Sequence, residues 1–291
     1  MKESSPSGTA RLISLCILYL HFEKSNLVSN KYILFQKNCI DSFGKRKNLI
    51  LRLLKFSFFR KIISVIESTF FPNLIAHYAI RKNILSEIAL DLFEKEKIST
   101  LLVLGSGFDT FSLRVTDQFP KIKIWELDHP ATQLVKKISF EKTGIKKENF
   151  VLHPVDFFHE ALFPKDIQFE ESTLVYAEGL FMYLSEQKIK EHLFSLSFNF
   201  KNVYLLFTFI EVNLQGKPIF YDNNLLVNSY LRVKREPFLW GIQATDLKDF
   251  LKPLGFDLMQ IISPNFVLKS MPGSKLKKTI RENIALAKLK T

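Results

Sequence analysis

The chain has 291 residues, 47% hydrophobic, 13% aromatic and 24% charged, with a formal net charge of +12. This composition excludes a disordered chain, and two cysteines, Cys16 and Cys39, exclude a disulfide scaffold and a C-x-x-C metal or redox pair. The length allows one large domain or two small ones, and the cysteine usage fits a reducing, cytoplasmic setting. The positive balance suits acidic partners in principle, but the lysines are spread along the chain and read as a solvated surface.

In chain order, the first apolar run is Leu12–Leu20. It is too short to span a bilayer, and Glu3 stands before it where a signal sequence has basic residues, so it predicts a core helix. Helical spacing recurs over Leu49–Phe59 and Leu74–Phe93, the second starting at Pro72 or Asn73. Residues 1–98 are therefore expected to form a helical cap and lid region, and 99–291 a separate α/β domain.

From residue 100 the period changes. Apolar, β-branched runs at Thr100–Leu104, Lys123–Leu127, Phe150–Val155, Thr173–Ala177 and Val203–Phe209 alternate with helical patterns such as Ala131–Glu141 and Glu186–Phe198. Near-continuous apolar strands separated by helices imply a parallel sheet covered on both faces. Gly255–Ile262 and Asn265–Lys269, split only by Ser263-Pro264, predict an antiparallel C-terminal hairpin. The expected fold is a seven-stranded, mostly parallel Rossmann-like sheet. Residues 211–240, rich in Asn, Gly and aromatics, read as an insertion over the carboxyl ends of the strands. Lysines between 275 and 290 predict a basic amphipathic terminal helix.

The chemistry-bearing pattern begins at Gly105-Ser106-Gly107, directly after the first strand. Glycines there let the backbone approach a ligand. The second strand ends in acids, Glu126 and Asp128, which share one strand face, so one of them suffices at the tip to accept ribose hydroxyls. A dinucleotide loop has a third glycine to seat a pyrophosphate; here that position is Thr110. A cofactor with an amino acid in place of phosphates, such as S-adenosylmethionine, does not need it.

Leu104-Gly-Ser-Gly-Phe-Asp-Thr110 resembles the L-G-x-G-x-D-T signature of the leucine carboxyl methyltransferase-like family of class I S-adenosylmethionine-dependent methyltransferases, whose bacterial branch acts on small-molecule oxygens. Glu126-Leu-Asp-His-Pro130, Val155-Asp-Phe157, Ala177-Glu-Gly-Leu-Phe-Met-Tyr-Leu184, the Arg81 segment His77–Lys82 and Pro6-Ser-Gly-Thr-Ala10 are similar to further family segments, in order and spacing. The resemblance implies S-adenosylmethionine as cofactor and no metal. It implies Gly105 and Gly107 beside the methionine part, and Asp128 on the ribose. Asp156 and Phe157 would hold the adenine, Arg81 the methionine carboxylate, and Glu178 would lie near the ammonium or sulfonium. Tyr183 would orient an acceptor. Gly8 departs from the Arg or Ser usual in P-S-x-T-A and bears on the acceptor side.

Methyl transfer from a sulfonium is an in-line displacement, in which the protein positions the acceptor and excludes water. A carboxylate needs no base, being ionised at neutral pH; His77, His129, His153 and His159 matter only for a hydroxyl acceptor. The leading expectation is O-methylation of a small molecule or a protein C-terminus. A nucleic-acid methyltransferase and an inactive binding paralogue are the alternatives, a dehydrogenase the weakest, and no membrane span is expected. Whether residues 1–40 cover the site or complete the core stays open at this stage.

Overall fold

A computed structural model describes residues 6–42, 49–145, 148–163, 171–221, 236–270 and 279–290. The N-terminal part is helical: α1 (Gly8–Phe22), α2 (Ile33–Asp41), α3 (Leu49–Leu53), α4 (Ser57–Phe70) and α5 (Leu74–Lys95). Next come β1 (Thr100–Leu104), α6 (Phe111–Gln118), β2 (Lys123–Asp128), α7 (Pro130–Thr143), β3 (Phe150–Pro154) and β4 (Thr173–Ala177). They are followed by α8 (Glu186–Asn199), β5 (Val203–Val212), the two-residue β6 (Pro218–Ile219), α9 (Leu247–Leu251), β7 (Phe256–Ile262), α10 (Pro264–Ser270) and β8 (Glu282–Leu289).

The sheet order is β3-β2-β1-β4-β5-β8-β7, with β6 paired on the end of β5. Strands β1 to β5 run parallel, and β8 runs antiparallel to both its neighbours. Alternation by two along the strands separates the two cores. Leu102, Leu104, Val175, Ala177, Leu205 and Phe207 face α8, meeting Ile189, Leu193 and Leu196. Leu101, Val103, Leu174, Tyr176 and Leu206 face the opposite side, meeting Leu85, Ala89 and Phe93 of α5 and Phe111 of α6. With both faces covered, β1 and β4 are buried at every residue, as a doubly wound sheet requires.

The mixed α/β fold, mostly parallel with antiparallel C-terminal strands, agrees with the sequence reading. The first apolar run lies within α1, with Cys16, Ile17, Leu18 and Leu20 buried. No helix among the described residues is long and apolar enough to cross a membrane.

Three local expectations fail. Leu49–Phe59 is not one helix: the chain turns at Leu54–Phe56, where Phe56 is extended before α4 begins. Asn265–Lys269 is helical, not a strand. Pro264 at the first helical position has a φ that suits a first turn and no N–H for a ladder. So β7 and β8 are antiparallel neighbours but not a tight hairpin. The expected basic terminal helix is, over 282–289, the buried strand β8: Ala285, Ala287 and Leu289 enter one core, Ile284 and Leu286 the other. Residues 222–235 of the expected 211–240 insertion lie outside the described residues; Glu236 and Leu239 return to the cavity at the carboxyl ends of the strands.

Candidate functional site

β1 ends in a loop that only glycine fits well. Gly105 has φ +67°, Gly107 φ +49°, both in the left-handed region. A Cβ on Gly105 would come within 3.1 Å of Leu180, and one on Gly107 within 3.2 Å of the Ala10 Cβ. A side chain at either position would therefore be both strained and crowded.

The loop is tied to the tip of β2. Gly105 N–H donates to the Leu127 carbonyl at 2.8 Å, and Gly107 N–H to Asp128 Oδ2 at 2.6 Å. The other oxygen, Asp128 Oδ1, accepts the His129 N–H at 2.7 Å. Burial raises the Asp128 pKa, and these two amide donors oppose the rise. Glu126 takes a different course: it is buried beneath the tip in an ion pair with Lys136 of α7. Of the two acids, Asp128 reaches the cavity.

A buried ionic network closes the far wall. Arg81 of α5 donates to both Glu282 oxygens at 2.8 Å, and to Glu178 Oε1 from Nε at 3.0 Å and from Nη2 at 2.6 Å. Lys82 lies 2.9 Å from both Asp109 and Glu178, and the Tyr176 hydroxyl donates to Glu178 at 2.9 Å. Burial opposes ionisation of Asp109, but Lys82 and Arg114 outweigh it and hold the carboxyl well below its usual range. Burial likewise lowers the His77 pKa against the pull of Glu282, whose carboxylate lies 2.8 Å from His77 Nε2.

The remaining wall comes from α1. Ser7 Oγ caps it, accepting the Ala10 N–H at 3.1 Å. Glu236 accepts the Gly8 and Thr9 N–H groups at 3.0 and 3.1 Å and the Thr9 hydroxyl, pinning the helix start with a carboxylate. Residues 1–40 thus do both things considered from the sequence: α1 forms cavity wall with Thr9, Ala10, Ile13 and Ser14, while Leu18 and Ile40 are core.

The cavity between these walls has a volume of about 280 Å3. Its wall includes Arg81, Gly105, Gly107, Asp128, Phe157, Glu178 and Tyr183 from the sequence reading. Asp156 is not on the wall; its Oδ1 accepts the Phe158 N–H at 2.9 Å and shapes the turn that carries Phe157 and Phe158. His77, His129, His153 and His159 are not on it either. His129 caps α7, and His153 stacks on Phe163. Sequence reasoning missed Gln36, Lys82, Ser106 and Glu236 on the wall and Glu282 behind it. Lys82 adjoins Arg81 in a segment already quoted and was findable; Glu236 and Glu282 reach the site only through folding.

A second cavity, of about 220 Å3, opens beside the first and shares Thr9, Ile13, Arg81, Gly179 and Tyr183 with it. Its other walls are apolar or aromatic: Leu12, Phe71, Leu74, Tyr78, Met182, Phe220 and Phe238. Tyr183 stands between the two, on the wall of both, its ring 5.4 Å from that of Phe238.

A family model described as leucine carboxyl methyltransferase matches residues 46–196. Among solved structures, the chain is similar to a DUF574 family protein from Streptomyces avermitilis, at 12% identity and TM-score 0.58, over 89% of this chain and 96% of that one. A magnesium protoporphyrin IX methyltransferase from Synechocystis, solved with bound SAH, matches at 10% identity and TM-score 0.48, over 83% and 99%. The apo S-adenosylmethionine-dependent methyltransferase SibL matches at 12% identity and TM-score 0.46, over 83% of this chain, which spans 62% of SibL. At these identities the likeness is one of fold. A comparison with curated proteins finds no match.

Proposed function

The chain belongs to the leucine carboxyl methyltransferase family of S-adenosylmethionine-dependent methyltransferases, and we propose that it methylates an oxygen, acidic rather than neutral, on a small molecule with an apolar body. The observation that carries this reading is the pair of joined cavities, one polar and one aromatic, meeting at Tyr183.

The residues of the polar cavity fit the cofactor. Ser106 Oγ and Gln36 Oε1 are buried on its wall without a hydrogen-bond partner, which is costly unless a ligand supplies one. Gly105 and Gly107 both lie on its wall, in a left-handed turn that brings their backbone to the cavity. Two cations, Arg81 and Lys82, line it against four carboxylates, Asp109, Asp128, Glu178 and Glu236, an excess that favours a cationic ligand. Asp128 would accept ribose hydroxyls with the lone pairs its two amide donors leave. Phe157 would offer a ring face to the base, held by the turn that Asp156 shapes. Arg81, steadied by Glu282, would meet the methionine carboxylate with Glu178 near the ammonium. When bound, S-adenosylmethionine supplies an electrophilic methyl group.

Among the described residues, the acceptor side lacks a base suited to neutral pH. No histidine among the described residues lines either cavity. Burial pushes the Tyr183 pKa well above its usual value, so its hydroxyl stays protonated and orients an acceptor as a donor. An acceptor that arrives ionised, a carboxylate or an acidic phenol, needs only placement and exclusion of water, which the aromatic walls provide.

Titration calorimetry with S-adenosylhomocysteine, with NADH as control, tests the cofactor. Binding of the first alone is expected; no binding of either overturns the methyltransferase reading. Transfer of labelled methyl to aromatic carboxylic acids, but not to neutral alcohols of matched size, is expected next. The reverse preference would overturn the oxygen class and leave the cofactor assignment standing.

A further inference from the structure

Helix α4 has its apolar side facing outward. Phe58 is 74% exposed, Val65 65%, Ile66 47% and Ile62 39%, and their spacing of four, seven and eight residues from Phe58 sets them on one stripe. Two of its charged side chains instead face the protein: Arg60 pairs with Glu23 and donates to the Leu54 carbonyl, and Glu67 accepts the Ile75 N–H. None of the 14 residues of α4 is buried, although it is an amphipathic helix. The stripe continues past the helix start to Phe56, 63% exposed. A contiguous apolar surface of this kind marks an interaction site.

Its charge decides the occupant. Residues 42–66 hold seven Lys and Arg and no Asp or Glu. Within the described residues, Arg52 and Lys55 are exposed just before α4, and Lys61 sits exposed at the edge of its stripe. A second copy of this chain, meeting the face across a two-fold axis, would set the same cations against one another. Phosphates of a nucleic acid would answer the cations but leave Phe58 and Val65 in water. An anionic bilayer answers both, because apolar side chains enter the headgroup boundary while Lys and Arg stay at phosphate level.

We infer that the α3–α4 face docks on an anionic lipid surface. The association is peripheral and separate from methyl transfer. It brings the bilayer next to Phe71, the residue after α4, which lines the aromatic cavity.

Co-sedimentation of the full-length protein with phosphatidylcholine vesicles, with and without phosphatidylglycerol, tests this. Retention is expected on the anionic vesicles only, weakening as salt is raised. Phe58→Ser with Val65→Ser, and separately Lys55→Glu with Lys61→Glu, should each reduce retention at least about tenfold. All four positions are solvent-facing and none lines either cavity, so S-adenosylhomocysteine affinity should be unchanged in both variants. No retention on either vesicle, or retention that ignores the Phe58 and Val65 substitutions, overturns the proposal. A lipid-free dimer abolished by Phe58→Ser with Val65→Ser overturns it in favour of a second copy.

Discussion

Glu282 divides its carboxylate between Arg81 and His77 and is fully buried. Burial alone would raise its pKa, but Arg81 and His77 outweigh that and bring it down from 4.5 to about 2. A depressed carboxyl pKa adds stability that is present above the unfolded value and is lost as pH falls toward the folded one. Glu282→Gln should therefore cost about 3 kcal/mol at neutral pH, because it removes one of the two carboxylates that compensate a buried guanidinium, the other being Glu178. Urea unfolding should show the gap from the parent narrowing steadily as pH falls from 4.5 to about 2; a gap constant over that window contradicts the assignment. The proposed cofactor residues make a separate case. Gly105→Val would place a branched side chain at φ +67° and 3.1 Å from Leu180, and Asp128→Ala would release the Gly107 amide. Each should weaken S-adenosylhomocysteine binding by roughly tenfold or more, since strain or a lost charged acceptor is worth about 1–3 kcal/mol; near-parental affinity in both would remove these residues from the site. Gly105, Gly107 and Asp128 were legible in the sequence because their chemistry depends on local spacing after two strands. Glu282 was not, because it meets Arg81 across 201 positions of chain.

Elements were legible where one physical rule governed them and not where two competed. β1 and β4 are short apolar runs buried on both faces, and their limits match the sequence reading residue for residue. α10 has the composition of a strand, yet Pro264 starts a helix there. The body of α1 was read from the apolar run Leu12–Leu20, but the anchor of its start was not. Glu236 reaches it from 228 positions away and takes two of the amide donors that a helix start leaves unpaired. Its carboxylate also lies at the positive end of the helix. Glu236→Ala should thus fray α1 by about 1–2 kcal/mol. Hydrogen exchange should quicken at residues 8–12 while α5 keeps its protection. Because α1 walls the polar cavity, S-adenosylhomocysteine affinity should fall with it. Unchanged exchange at 8–12 would mean that Ser7 and the packing of Ile17 and Leu18 hold the helix without Glu236.

At the scale of the whole molecule, the last strand in sequence is an interior strand of the sheet. β8 hydrogen-bonds to β5 on one side and β7 on the other, and its side chains complete both cores. Lys288 and Lys290 made this segment look like a solvated basic helix, yet they sit at its rim: Lys288 lies 4.6 Å from the centroid of the Tyr204 ring and Lys290 pairs with Asp257. A lysine count cannot reveal that the small residues before them, Ala285 and Ala287, fill a gap between two strands. The same segment delivers Glu282 to Arg81, so it joins the sheet to the cavity wall. Removal of residues 279–291 should therefore do more than shorten an edge. It exposes the ladder edges of β5 and β7, uncovers both cores and leaves Arg81 without its bidentate partner. The truncated chain should lose its cooperative thermal transition, bind a hydrophobic dye and bind no S-adenosylhomocysteine. A truncated chain that still unfolds cooperatively would place the folding unit within β1 to β5 and reduce β8 to a late addition.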